Sequence, residues 1–187
     1  MKHGVLHLKN RRLITGLFRK NGYKATGIDQ VMSEAELTAG AFYAHFKSKE
    51  DLLKHVLIYS VTDTRKKLVG GIENKPPREK LSLILGRYCS KIHRDQPELG
   101  CVLPSIASEL HRTDAEIGPL VAEYVEKWIG LTSELLNEIT PQEAAQARVK
   151  AVNLISQSVG AVLLSRVLGQ TDLSDEVLKS ARTPLVY

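Results

Sequence analysis

Apolar residues along this chain recur at three- and four-residue intervals almost everywhere, and no stretch alternates as a half-buried strand does. Leu13, Ile14, Leu17 and Phe18 form the buried stripe of a first helix. Asn21-Gly22 ends it, glycine being free to take the left-handed cap. A second, short helix carries Ile28, Val31, Met32 and Ala35, with Thr26 and Asp29 reading as its capping box. Thr38 caps a third, and Ser48 with Asp51 caps a fourth that carries Leu52, Leu53, Val56 and Leu57. Beyond Gly70-Gly71 and Pro76-Pro77, one helix carries Leu81, Ile84, Leu85, Tyr88 and Ile92. A break at 97–100 precedes a short helix from Pro104 to His111. A long helix starts near Asp114, with the stripe Leu120, Val121, Tyr124, Val125, Trp128, Leu131, Leu135 and Ile139. Thr140-Pro141 opens another, ended by Gly169 after Leu168, and Ser174 opens a last short one. The pattern predicts an all-α fold, with three or four short helices followed by a bundle of longer ones.

Composition narrows this little. The 187 residues suffice for one domain with a real core, or for a small module fused to a larger one. At 43 % apolar and 25 % charged residues, the chain reads as soluble and globular. Uninterrupted apolar runs are short, so no membrane span is expected, and MKHGVLHLKNRR lacks the apolar stretch of a secretory signal. Two cysteines make no disulfide framework, which points to a reducing, cytoplasmic setting. Charge changes the picture more. Residues 1–67 hold thirteen Lys/Arg against six Asp/Glu, a net of +7, and the remainder nets −2. A basic first third suggests that this part meets a polyanion.

The stretch 38–49, TAGAFYAHFKSK, sharpens that idea. Two short helices separated by Glu36-Leu37 suggest a helix-turn-helix over about 27–46, whose second helix enters the DNA major groove by its N-terminal end. Ala39, Gly40 and Ala41 let backbone approach closely, and no acid occurs from Leu37 to Lys49. Phe42 and Phe46, four apart, share one face and are expected to pack on Leu17 and Phe18. Tyr43 and His45 point elsewhere, where a phenol and an imidazole can donate to phosphate.

From Leu13 to Leu53, through LFRKNGYKATGID and FYAHFKSKEDLL, the sequence resembles the DNA-binding domain of TetR-type (tetracycline-repressor-like) transcriptional regulators. The resemblance covers about the first third of the chain. It implies a helix-turn-helix DNA-binding domain at 1–47 and a helical effector-binding and dimerisation domain at 48–187. It further implies a homodimeric repressor on a palindromic operator, released by a small organic effector. Carried over by position, Thr26, Tyr43 and Lys49 are phosphate contacts, Thr38, Ala39, Gly40 and Ala41 lie where bases are read, and His45 is a further candidate. The family commonly has Gly where this chain has Glu36; a left-handed Glu36 would cost on the order of 1 kcal/mol.

Within the larger domain, Tyr88, Cys89, His93, Tyr124, Trp128 and Gln157 are the candidate effector-pocket residues, since aromatic and polar groups on apolar helices suit an organic ligand. Cys89 and His93 stand i, i+4, as do His3 and His7, but two ligands do not close a metal site, and no metal or cofactor is expected. Cys101 is the candidate for an alternative, gating by oxidants or electrophiles. The helix over 141–168 is rich in small residues, including Ala144, Ala147, Ala151, Ser156, Ser158, Gly160 and Ala161, with Leu154, Ile155, Val162 and Leu163 adding apolar area. With the last helix it is expected to form a two-fold four-helix interface. No Glu-x-x-His pair occurs, so a bundle enzyme is not expected.

Overall fold

The computed structural model describes residues 8–113 and 115–182; His3, His7 and Asp114 lie outside them. Ten α-helices are present among the described residues, with no strand: α1 (Leu8–Asn21), α2 (Ile28–Glu34), α3 (Ala39–His45), α4 (Lys49–Val69), α5 (Pro77–Tyr88), α6 (Lys91–Asp95), α7 (Leu103–Leu110), α8 (Ile117–Ile139), α9 (Ala144–Leu168) and α10 (Asp172–Ser180). Short 3-10 turns at Pro97–Leu99 and Pro141–Glu143 precede α7 and α9.

The backbone forms two compact units. One comprises residues up to 63 with 97–121, the other 64–96 with 122 onward. The chain was expected to divide at 47/48. Compactness divides it elsewhere, because Leu52, Leu53, Val56 and Leu57 of α4 are buried in the core that also takes Phe18 and Phe42.

The first unit is built on that core. Phe18, Phe42 and Leu53 are completely buried, with Ile106 of α7 beside them. Full burial of one such side chain is worth about 1.5–3 kcal/mol. The ends of the short helices follow local chemistry. Gly22, at φ 88°, closes α1, its N–H donating to the Phe18 carbonyl at 3.0 Å. α2 ends in a Schellman motif: Leu37 N–H donates to Met32 O at 2.9 Å and Glu36 N–H to Ser33 O at 3.1 Å. Glu36 takes φ 57° there, the left-handed conformation the sequence raised as a condition. Ser48 caps α4 by accepting from Asp51 N–H at 3.2 Å, and Asp51 returns to the N–H of Lys47 at 3.0 Å.

Two caps differ from expectation. Gly27, not Thr26, is the residue before α2, and the Thr26 hydroxyl donates back to Gly22 O at 2.6 Å. The one-turn return to a carbonyl competes with capping for any threonine hydroxyl. Thr38 stands at the N-cap of α3 as expected but makes no side-chain cap bond.

In the second unit the helix expected through Ile92 is broken. α5 ends at Tyr88, and Ser90 starts α6 by accepting from His93 N–H at 3.2 Å. Ile92 is consequently exposed, and Cys89 and His93 do not share a helix. α6 is fixed by the buried Arg94, which donates to Asp95, to Ser174 Oγ at 2.9 Å and to Asp175 at 2.9 Å. Thr171, not Ser174, caps α10, its hydroxyl accepting from Ser174 N–H at 3.2 Å.

The small residues of α9 divide between its two faces. Ala147, Ala151, Ser158 and Ala161 are buried within their own unit, as are Leu154, Ile155 and Val162. The exposed apolar residues are instead Val149, Val152, Leu163, Leu164 and Val167, with Leu173 on α10. At 100° per residue Val149, Val152, Leu163, Leu164 and Val167 fall on one face, with exposed Ser156 and Gly160 between them. By length and composition, Pro141–Leu168 is the one described helix apolar enough to cross a membrane. Its inner face is the core just described.

Candidate nucleic-acid interface and effector cavity

The helix α3 is seven residues long and could not stand alone in water. Phe42 and Phe46 hold it, buried with their ring centroids 5.6 Å apart in the first unit's core, as their spacing predicted. With that face anchored, the opposite face is turned out. Tyr43 is 70 % exposed, and Thr38, Gly40 and His45 are exposed, while Ala41 is half-buried. A Cβ at Gly40 would meet nothing within 4 Å, so the backbone there is open to an approaching surface. The side chain of Ala39 lies outside the described ones. Lys20, Lys24 and Lys47 are exposed in the same unit.

Two expected phosphate contacts are engaged within the chain. Thr26 is fully buried and its hydroxyl is committed to Gly22. The Lys49 ammonium lies 4.4 Å from the Tyr23 ring centroid and donates to Lys24 O at 3.3 Å, yet the residue remains half-exposed. Burial pulls its pKa down, opposed by the nearby carboxylates Glu50 and Glu109.

Tyr23 was not singled out by the sequence, yet it organises this corner. Its ring stacks on Phe18 with centroids 5.8 Å apart, and its hydroxyl donates to Glu50 at 2.8 Å. Burial, then the hydrogen bond to Glu50, push the phenol far above its ordinary range. Beneath the turn, the Glu109 carboxylate of α7 accepts from two successive backbone groups, Tyr23 N–H at 3.1 Å and Lys24 N–H at 2.7 Å. No local signal announces a contact made from 86 residues away.

The second unit holds a small cavity. It is lined by Leu68, Val69, Leu81, Ile84, Leu85, Tyr88, Trp128, Leu131, Thr132, Leu154, Ile155 and Ser158. Of the candidate pocket residues, Tyr88 and Trp128 line it, their rings 5.0 Å apart. Cys89, His93, Tyr124 and Gln157 are not in its wall. His93 instead turns its Nδ1 to Tyr88 O at 2.6 Å, and Cys89 is fully buried with its thiol pushed up by burial. Thr132 and Ser158 are the polar wall residues the sequence missed, because periodicity cannot tell a cavity wall from ordinary core. No charged side chain lines the space, and the volume open to a water centre is about 20 Å³, room for about one water. Cys101 is 1 % exposed. No cluster of three or more His, Cys, Asp or Glu suited to a metal occurs among the described residues.

Residues 14–56 match the family model of bacterial regulatory proteins, tetR family. By that match, residues 14–56 are a tetR-family domain. This stretch runs from α1 into α4 and contains α2, α3 and the corner around Tyr23. An uncharacterized HTH-type transcriptional regulator of Bacillus subtilis (strain 168), YerO, is 40 % identical over 73 residues, 37 % of this chain and 25 % of that protein. The chain thus spans a quarter or less of the first curated relatives it matches. The HTH-type transcriptional repressor DhaR of Mycobacterium sp. (strain GP1) is 24 % identical over 172 residues, 88 % of this chain and 84 % of that one. Among solved structures, the regulator FadR of Bacillus subtilis in complex with stearoyl-CoA superposes with a TM-score of 0.74 at 18 % identity, covering 96 % of this chain and 100 % of that one. That last likeness extends the shared fold beyond the matched domain.

Proposed function

We propose that the protein is a dimeric, DNA-binding transcriptional repressor that leaves a palindromic operator when a small organic effector binds. The observation that carries this reading is the division of α3 into two faces: an anchored one with buried Phe42 and Phe46, and an outward one with exposed Tyr43 and His45 and an open backbone at Gly40. Thr38, Ala39, Gly40 and Ala41 read bases, while Tyr43, with Lys49 beside it, grips phosphates. His45 is a further contact. Thr26 contributes through the fold of the turn, its hydroxyl donating to Gly22 O rather than to a phosphate. Dimerisation uses α9 and α10 through the exposed face of Val149, Val152, Leu163, Leu164 and Val167. The repressor DhaR and the ligand-bound FadR support the coarse reading by name. Such a regulator works in the cytoplasm and is not an enzyme.

The effector site is the cavity beside Trp128, opened further when occupied. Its wall has aliphatic side chains, two aromatics and hydroxyls but no charge, so it suits a neutral, largely apolar molecule bearing a hydrogen-bonding group. A charged ligand would lose its water without gaining a counter-charge from that wall. Gating through Cys101 has less in its favour, since the thiol is buried.

Footprinting on fragments of the source genome tests the DNA reading. Protection of discrete sites, lost in Tyr43→Ala, is expected. Absence of protection at every site would sink it.

A further inference from the structure

The turn after α1 is held from outside the helix-turn-helix by one carboxylate. Glu109 spans both N–H groups of Tyr23 and Lys24, at 3.1 and 2.7 Å. Gly22 enters the turn at φ 88°, and a Cβ there would lie 2.8 Å from Glu109 Oε1, so the seat is built around a bare backbone. The other side of the same turn carries Lys49, whose ammonium is 3.3 Å from Lys24 O and 4.4 Å from the Tyr23 ring centroid. Glu109 and Lys49 therefore meet on one short piece of backbone, Glu109 on its donors and Lys49 on an acceptor.

We infer that Glu109 is a positioning residue for DNA binding, clasping the turn so that Tyr23 and Lys24 O hold the Lys49 ammonium where it meets a phosphate. The inference rests on the reading of Lys49 as a phosphate contact. Removing the carboxylate leaves two amides without their acceptor, and the turn that seats Lys49 relaxes.

The sign of the effect separates this role from simple electrostatics. An acid close to a polyanion-binding surface opposes DNA, so by charge alone Glu109→Gln would tighten binding. Positioning requires the opposite. The test uses the full chain and the duplex that the wild-type protein enriches from a random pool, titrated at several salt concentrations. Glu109→Gln should weaken binding severalfold and flatten the slope of log K against log salt by about 0.9, one phosphate contact. In a Lys49→Ala background it should change that slope no further. Glu109→Asp, which keeps the charge but shortens the arm, should also bind more weakly, and it answers the question if the glutamine variant does not fold. Tighter or unchanged binding by these variants, with Lys49→Ala still flattening the slope, overturns the inference alone. A Lys49→Ala slope equal to wild type overturns the Lys49 reading and the inference with it. Failure to enrich any duplex overturns the DNA-binding reading itself.

Discussion

Glu36 is the one non-glycine residue with positive φ among the described residues, and its side chain is exposed. A left-handed conformation brings Cβ against the following carbonyl, at a cost of about 1–2 kcal/mol. Both hydrogen bonds of the Schellman motif are backbone bonds and survive a change of side chain. Glu36→Gly removes the steric cost and adds some unfolded-state entropy, leaving a net gain of about 0.5–1 kcal/mol. Thermal unfolding should therefore shift up by a few degrees. An unchanged or lower midpoint would mean that the glutamate makes interactions worth as much as its backbone strain. Tyr43 and Phe42 are the complementary lesson at this scale. The two neighbours differ from 70 % exposed to fully buried, and helical periodicity alone separates them.

At the scale of elements, legibility in the sequence followed the range of the interactions. The end of α1 and the start of α4 were readable because nearby groups set them: Gly22 with Phe18, Ser48 with Asp51. The break between α5 and α6 was not, since Leu81 to Ile92 keeps helical spacing straight through Ser90. What decides there is tertiary: Arg94 draws α6 onto Ser174 and Asp175, some 80 residues on. The cavity was half-legible for a similar reason. Tyr88 and Trp128 stood out as large aromatic residues, but Thr132 and Ser158 look like any small helix residue until four helices are assembled around them. Trp128 is the chain's only tryptophan, so its emission reports on that cavity directly. A neutral alkylphenol should quench or shift it saturably, whereas a fatty acid or alkylammonium of equal length should do so far more weakly. Preference for either charged probe would contradict the assignment of a neutral ligand.

For the whole molecule, the exposed apolar face of α9 stands against a buried one: Ala147, Ala151, Leu154, Ile155, Ala161 and Val162 are inside their own unit. Val167, 80 % exposed, sits near one end of this face. Val167→Glu places like charges across a two-fold contact while leaving the buried side untouched. Analytical ultracentrifugation should show a monomer with wild-type helix content, and operator affinity should fall because two half-sites are no longer engaged together. A dimer that persists in this variant would move the interface off that face.

The basic first third, with its net of +7, makes DNA binding directly testable. The most direct measurement is selection of bound duplexes from a random pool, followed by affinity against salt for the winner. A palindrome whose half-sites are one helical turn apart, bound more weakly as salt rises, is expected. Enrichment of no sequence, or of one without two-fold symmetry and with salt-independent affinity, would contradict it.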